Sequence, residues 1–336
     1  MKRSIKIAVA AAMALSATSA FATNGDHLIG MGAKARSMGG IGIGMSHGAE
    51  TALSNPALIT TVQGTEVSFG GTIFMPDVET AAYGNSSIKS DADLSVIPEV
   101  AIAQNVGDGL SWGIGMYGTA GMGTDYRDAT MNPATGQMGN FKMVTNLSYK
   151  SAIDMEYKGQ IKTATADFGM TGYSDNLEQP AEIGVGASYT FAGNTIAIDY
   201  KQIQWASAKG YKDFKWEDQD VYMIGYQFAQ DSWAVRAGYN YAKSPIKEQS
   251  VMATDGAMLN VLNLLGFPAI IEEHYTIGGG YAFNKTTSLD LAYMYAPEVT
   301  EKFATMMSDG VGGYVGTLER FTIHSPFPAI IRVHIS

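Results

Sequence analysis

The sequence predicts an all-β protein, a transmembrane antiparallel β-barrel of about twelve strands with a non-strand segment ahead of the first. Three observations predict it. Apolar residues alternate with small or polar ones along much of the chain from residue 65 onward. No run of 18 or more apolar residues long enough for a membrane helix follows the N-terminal region. Tight links alternate with long connections, the asymmetry of barrels whose strand ends face two different compartments.

The chain begins with the pattern of an export signal. Lys2, Arg3 and Lys6 form a positive start, Ile7 to Leu15 is almost wholly apolar, and Ala20-Phe21-Ala22 is a small-x-small cleavage pattern. The apolar run is shorter than the ~20 residues that span a bilayer, so residues 1–22 are expected to be removed. An exported barrel belongs in the outer membrane of a Gram-negative bacterium, in contact with its lipid and lipopolysaccharide. Loss of those three positive charges moves the formal net charge from -10 to -13. Such an acidic chain has no basic surface for a row of phosphates, which excludes nucleic acid as a partner. Cysteine is absent, so neither disulfides nor thiolate chemistry is available.

Residues 23–64 are rich in glycine and other small residues, and Gly39-Gly40-Ile41-Gly42-Ile43-Gly44 superficially suggests a phosphate loop. No strand precedes it and no Lys-Ser/Thr follows, so nucleotide binding is rejected. Flexible backbone packed into a confined space explains the glycines better.

Residues 65–336 carry the barrel pattern. Val67, Phe69, Gly71 and Ile73 alternate with Glu66, Ser68, Gly70 and Thr72. Leu110, Trp112, Ile114 and Met116 alternate with Ser111, Gly113, Gly115 and Tyr117. The same period recurs at 182–191, 233–241 and 288–295. The second face is built from Gly, Ser and Ala with a few charges, as in a crowded lumen. The large face ends in Tyr, Trp and Phe, as in interfacial girdles. Strands are expected near 65–75, 95–106, 109–118, 139–149, 151–163, 179–192, 194–206, 217–229, 231–243, 273–284, 286–297 and 316–335. Long connections are expected at 205–220, 243–273 and 296–315. Within the second, residues 251–271 form an apolar loop on the extracellular side. Asp199, Lys201, Arg236 and Asp290 are expected to face the lumen.

Nothing in the chain suggests catalysis. His27, His47, His274, His324 and His334 lack metal-ligand spacing and are expected in solvent or loops. Glu272, Glu273 and His274 are consecutive, so a strand would point them to alternate faces. No G-x-S-x-G elbow occurs. No catalytic residue, metal site or cofactor is therefore expected.

The order of several motifs resembles the FadL-like outer-membrane transporters of long-chain fatty acids and aromatic hydrocarbons. Asn55-Pro56-Ala57-Leu58-Ile59-Thr60, with Arg36 and Gly40 upstream, looks like the family's hatch motif. The Trp205 region, Phe214-Lys215-Trp216-Glu217-Asp218, Trp233-Ala234-Val235-Arg236-Ala237-Gly238 and Lys243-Ser244-Pro245-Ile246 follow the family's order. A weaker similarity runs from Gly113 to Tyr126. The resemblance implies a fourteen-stranded barrel, an N-terminal hatch (residues 23–64, with Asn55, Pro56 and Ala57 as its motif) folded inside, and passage of hydrophobic molecules. It also implies assembly by the barrel-insertion machinery. Two features depart from the family pattern: there is no room for a further hairpin between Tyr126 and Phe141, and the chain closes on Arg332-Val333-His334-Ile335-Ser336 rather than on an aromatic residue. Pro326 and Pro328 precede that end and interrupt a strand ladder.

Facilitated diffusion of hydrophobic compounds is thus the expected function. Leu262, Leu264, Leu265, Phe267 and Ile270 of the apolar loop are the expected substrate-binding residues, since exposed apolar patches mark interaction sites. A general porin for polar solutes and a structural or adhesin barrel are the alternatives.

Overall fold

Alternation of residue character translates directly into strands. The computed structural model describes residues 23–82, 87–118, 123–126, 142–144, 154–156, 159–167, 169–308, 314–322 and 332–335. In chain order the principal elements are α1 (Gly32–Ser37), β1 (Thr65–Phe74), β2 (Val78–Ala82), β3 (Ile88–Lys89), β4 (Ser95–Gly107), β5 (Leu110–Tyr117), β6 (Glu182–Phe191), β7 (Asn194–Ile203), β8 (Gln219–Gln230), β9 (Trp233–Ala242), α2 (Gly256–Gly266), β10 (Glu273–Asn284), β11 (Thr287–Tyr295), β12 (Val299–Ser308), β13 (Tyr314–Thr322) and β14 (Arg332–Ile335). Ten strands form one antiparallel sheet in the order β6-β7-β8-β9-β10-β11-β14-β1-β4-β5. A four-stranded sheet runs β12-β13-β2-β3.

β14 joins the two ends of the chain. It pairs with β11 through Leu289↔Val333 and with β1 through Val333↔Phe69, so last and first strands are neighbours. Among the described residues the sheet stops at β5 and β6, and that is how far the expected closed barrel of about twelve strands is met. The chain between those edges includes 127–141 and 145–153. The strands expected at 139–149 and 151–163 therefore lie largely outside the described residues; Lys142–Val144 and Asp154–Glu156 are strand. Gln160–Asp167 is a helix, which corrects the end of the second.

Tight hairpins join consecutive strands at one end of the sheet. Asp108-Gly109 and Ala192-Gly193 both have two positive φ values, +52° with +78° and +44° with +82°. Such turns follow the right-handed twist of the paired strands.

The two faces of the ten-stranded sheet are opposite in environment. On one face Ile183, Val185, Ile198, Ile224, Val235 and Ile277 are all exposed. Several adjoin across the ladders, as in Ile198↔Ile224, so the exposed apolar surface is continuous. A surface of that size needs an apolar environment. Aromatic residues bound it at both ends. Near the hairpin turns stand Tyr189, Phe191, Trp233, Tyr281 and Phe283. Toward the other end Tyr239 meets Tyr275, and Tyr275 meets Tyr295, with ring centroids 5.1 and 6.4 Å apart. From Tyr275 to Phe283 is about 27 Å along the strand at ~3.4 Å per residue. At the usual tilt this projects to roughly 20 Å, most of the ~25 Å apolar band of outer-membrane barrels. No helix among the described residues is long and apolar enough to cross a membrane.

The opposite face is small and polar, as expected, and it is covered. Asp199, Arg236 and Asp290 are buried there. Arg236 Nη1 donates to Asp290 Oδ1 at 2.8 Å and its Nε to Gln227 Oε1 at 2.7 Å. These charges are thus paired inside protein rather than bathed in lumen water.

The single strand expected near 316–335 is instead two, β13 in the four-stranded sheet and β14 in the ten-stranded one, and two further expectations fail outside the ten-stranded sheet. The connection expected at 296–315 contains β12 and the start of β13. Glu301 and Lys302 disguise the strand, yet Phe303 and Thr305 are buried on one side while Lys302 stays exposed. The loop expected at 251–271 holds the helix α2, whose asparagines spaced three apart make buried contacts. Asn260 Nδ2 donates to the carbonyls of Gln249 (2.9 Å) and Ala304 (2.8 Å). Asn263 Nδ2 donates to the Phe214 carbonyl at 2.9 Å and its Oδ1 accepts from Trp216 Nε1 at 3.1 Å. Residues three apart share a helix face, so both amides are turned into the fold.

Candidate functional site

The covered face of the sheet owes its cover to residues 23–64. Their backbone lies so close to the strands that only glycine fits. A Cβ on Gly238 would fall 2.1 Å from the Met38 carbonyl carbon. Gly39, at φ +73°, would put its Cβ 2.6 Å from the Tyr239 oxygen. The small-residue stripe read from the sequence is therefore a contact surface.

Polar strand residues then fix the segment. Asp199 of β7 is buried, and its carboxylate accepts from three consecutive backbone N–H groups: Gly42 (2.8 Å), Ile43 (2.6 Å) and Gly44 (2.9 Å). The glycine run does form an anion-binding nest, but the anion it holds is a side chain of this chain. Arg36 of α1 forms an ion pair with Glu99 of β4 at 2.5 Å and donates to Thr72 Oγ1 of β1 at 2.7 Å. Arg36 is wholly buried and Glu99 nearly so. Gly39 N donates to Thr276 Oγ1 at 2.8 Å and Asn240 Nδ2 to the Gly39 carbonyl at 3.1 Å.

The histidines correct the sequence reading. His27, His47 and His274 are buried, not solvated. His274 Nε2 accepts from Thr23 N at 3.0 Å, and a ring nitrogen of His47 lies 2.7 Å from the Ile41 carbonyl. His27 Nδ1 lies 2.9 Å from Glu182 Oε1. Polar partners, from distant elements for His27 and His274 and from the neighbouring Ile41 for His47, make this burial tolerable. His324 lies outside the described residues, and only the strand backbone of His334 is described. Among the described residues no group of three or more His, Cys, Asp or Glu is disposed to hold a metal.

Between residues 23–64, the starts of β6 and β8 and the end of β7 lies a cavity of ≈ 620 Å³. Leu28, Met31, Ile43, Leu53, Pro180 and Met223 contribute apolar wall. Asn55 and Pro56 also line it. Asn55 caps a 3₁₀ turn at Pro56–Thr61, accepting from Ala57 N at 3.2 Å, while its Nδ2 holds the Ile43 carbonyl at 2.8 Å. The Asn-Pro-Ala motif is thus both a turn and part of the cavity wall. The polar corner consists of His27, Glu182 and Lys201, with Lys201 Nζ 3.1 Å from Glu182 Oε2.

His27 connects this cavity to an aromatic cluster, its ring centroid 4.8 Å from that of Trp205. Trp205 packs edge-on against Tyr211 at 4.6 Å and Trp216 at 5.0 Å, and Trp216 against Phe267 at 5.2 Å. Tyr173 stacks on Phe214 at 6.2 Å and donates to Asp255 Oδ2 at 3.3 Å. Burial, reinforced by the Asp255 charge, pushes the Tyr173 phenol up to about 12, so it stays a donor.

The sequence-derived binding residues join this cluster, not the cavity. Leu262, Leu264, Leu265, Phe267 and Ile270 are buried in the core that contains Trp205 and Trp216. They offer no exposed apolar patch, because α2 and the segment after it turn their side chains inward. Glu182, Lys201, Asp199 and His27 escaped notice as a group. Their clue was faint: Glu182, Lys201 and Asp199 all lie on the small face of their strands.

Comparisons with known proteins accord with this architecture. Residues 7–147 match the profile of a family described as outer membrane protein transport protein (OMPP1/FadL/TodX). Over 92 residues the chain is 38% identical to an uncharacterized protein in the phosphoenolpyruvate carboxykinase gene 5′ region of Chlorobium limicola. That match covers 27% of this chain and 44% of the relative, so it spans under half the relative's length. The fold is similar to the P. putida toluene transporter TodX, with a TM-score of 0.63 at 17% identity over 92% of this chain and 99% of that one. A Pseudomonas aeruginosa FadL homologue gives 0.59 at 13% identity over 93% and 99%. The Ralstonia pickettii toluene transporter TbuX gives 0.51 at 14% identity over 91% and 98%.

Proposed function

We propose that this chain, whose residues 7–147 match the family described as outer membrane protein transport protein (OMPP1/FadL/TodX), carries hydrophobic compounds across the outer membrane by facilitated diffusion. The family is one of transport proteins and not of enzymes. Long-chain fatty acids and aromatic hydrocarbons are the candidate cargoes. In this reading the strands close into a barrel and residues 23–64 are its plug, with Asn55-Pro56-Ala57 at the plug's edge. Leu262, Leu264, Leu265, Phe267 and Ile270 form the dry outer part of the path, beyond the aromatic cluster.

One observation carries the proposal: a largely apolar cavity of ≈ 620 Å³ lies between the N-terminal segment and the strands, next to buried aromatic rings. A chamber of this size accepts a small ligand and binds it through burial of apolar surface, at about 25 cal/mol per Å². That force is non-directional, which suits passage better than tight capture.

The test is uptake of labelled toluene and of a long-chain fatty acid by cells lacking their own transporter and expressing this chain. Leu53 of the N-terminal segment lines the cavity and is half-buried, so Leu53→Trp adds bulk at the cavity wall. Uptake is expected to fall about tenfold at equal surface level, the scale of losing ~1.4 kcal/mol of ligand burial. Unchanged uptake in a surface-exposed variant removes the cavity from the path. Passage of polar solutes without apolar uptake would make the protein a porin instead.

A further inference from the structure

The polar corner of the cavity bears on which hydrophobic molecules pass, and this step rests on the transport reading above. Two devices that could bind an anion border the cavity. One is the Lys201 ammonium, the other the row of N–H groups of which Gly42 and Ile43 line the cavity and Gly44 follows them. Each is already engaged by a carboxylate of this chain. Glu182 Oε2 holds Lys201 at 3.1 Å while its Oε1 lies 2.9 Å from His27 Nδ1. Asp199 holds all three amides.

The sheet register places these groups together. Gly184 of β6 lies opposite Lys201 of β7, so Glu182 is the diagonal neighbour of Lys201 on the same face. Both side chains are mostly buried, at 15% and 14% exposure, and they meet across the cavity wall. A carboxylate arriving in this chamber would have to displace Glu182 from Lys201 or remain unpaired in a partly dry site. Either course is costly, because an unpaired charge out of water loses its hydration without compensation. A neutral apolar molecule meets no such penalty.

We infer that Glu182 is a specificity-determining residue: by occupying Lys201 it restricts the cavity to uncharged hydrophobic molecules and turns fatty-acid carboxylates away. Asp199 does the same for the backbone nest. The same chamber with Lys201 released would accept a carboxylate head.

The experiment compares dodecanoate with dodecanol, which share a chain and differ in charge, in transporter-deficient cells expressing the full chain. The parent is expected to favour dodecanol. Glu182→Gln keeps a hydrogen-bonding side chain of the same shape but removes the charge that occupies Lys201. Its dodecanoate-to-dodecanol uptake ratio is expected to rise about tenfold, the scale of one charge-assisted hydrogen bond. Adding Lys201→Met should return the ratio to the parental value. A parent that takes up dodecanoate as readily as dodecanol overturns the inference without any variant. So does an unmoved ratio in Glu182→Gln, or a raised ratio that persists without Lys201. A surface-exposed parent that takes up neither dodecanol nor toluene overturns the transport reading, and the inference with it.

Discussion

Asp199→Ala is expected to release residues 42–44 from the wall, raising amide exchange at Gly42, Ile43 and Gly44 by roughly a thousandfold. The reason is the number of groups left behind. One carboxylate accepts from three consecutive amides at 2.6–2.9 Å. Hydrogen bonds to a charged group contribute about 1.5–3 kcal/mol each, and unsatisfied buried donors add to the loss. Even with strong non-additivity, about 4 kcal/mol of local stability should disappear, which is near three decades in the opening equilibrium. Asp199→Asn keeps one acceptor without the charge and should fall between the two. The same release should let small ions pass, so channel conductance in a planar bilayer should rise in Asp199→Ala. Amides that stay protected, with conductance unchanged, would mean that the segment is held elsewhere and that Asp199 is not its latch.

Arg36→Met should cost about 3–5 kcal/mol, because it leaves the Glu99 carboxylate buried without its ion-pair partner. Glu99 is only 3% exposed, so water cannot readily replace the guanidinium. The paired change Arg36→Met with Glu99→Gln should recover most of that loss, since no charge is then stranded. Urea unfolding of the detergent-solubilised protein, combined with protease sensitivity of residues 23–64, measures both effects. A double variant as unstable as the single one would show that Arg36 acts through packing or Thr72 rather than through Glu99. This ion pair and the Asp199 latch hold the segment to opposite parts of the sheet, β1 and β4 on one side and β7 on the other. Losing either should loosen one flank first.

Much of the strand pattern was legible because the surroundings act on each strand locally. Val185 and Ile198 face outward on their strands for the same reason, and period two records it without knowledge of any partner strand. Turns such as Ala192-Gly193 are likewise local, since the positive φ values belong to the turn itself. β12 was missed because Glu301 and Lys302 interrupt the alternation, and only the neighbouring β13 and α2 explain which side is covered. α2 was missed for a related reason: an apolar run between two strands can be an open loop or a buried helix. Asn260 and Asn263 settle the matter only once Gln249, Ala304, Phe214 and Trp216 stand beside them.

The site divides in the same way. Asn55-Pro56-Ala57 was noticed as a motif, and its turn is local. His27 with Glu182, and Asp199 with Gly42, Ile43 and Gly44, join residues more than 150 positions apart. By itself the sequence determined strand alternation, the outward apolar band, the tight hairpins and an N-terminal segment of another kind, because each follows from a chain's immediate contact with solvent, lipid or its own next residue. Only the tertiary structure decided which polar groups are buried, which charges cancel and where an apolar cavity is left, because the cost of burying a polar group depends on a partner that the fold brings from far along the chain.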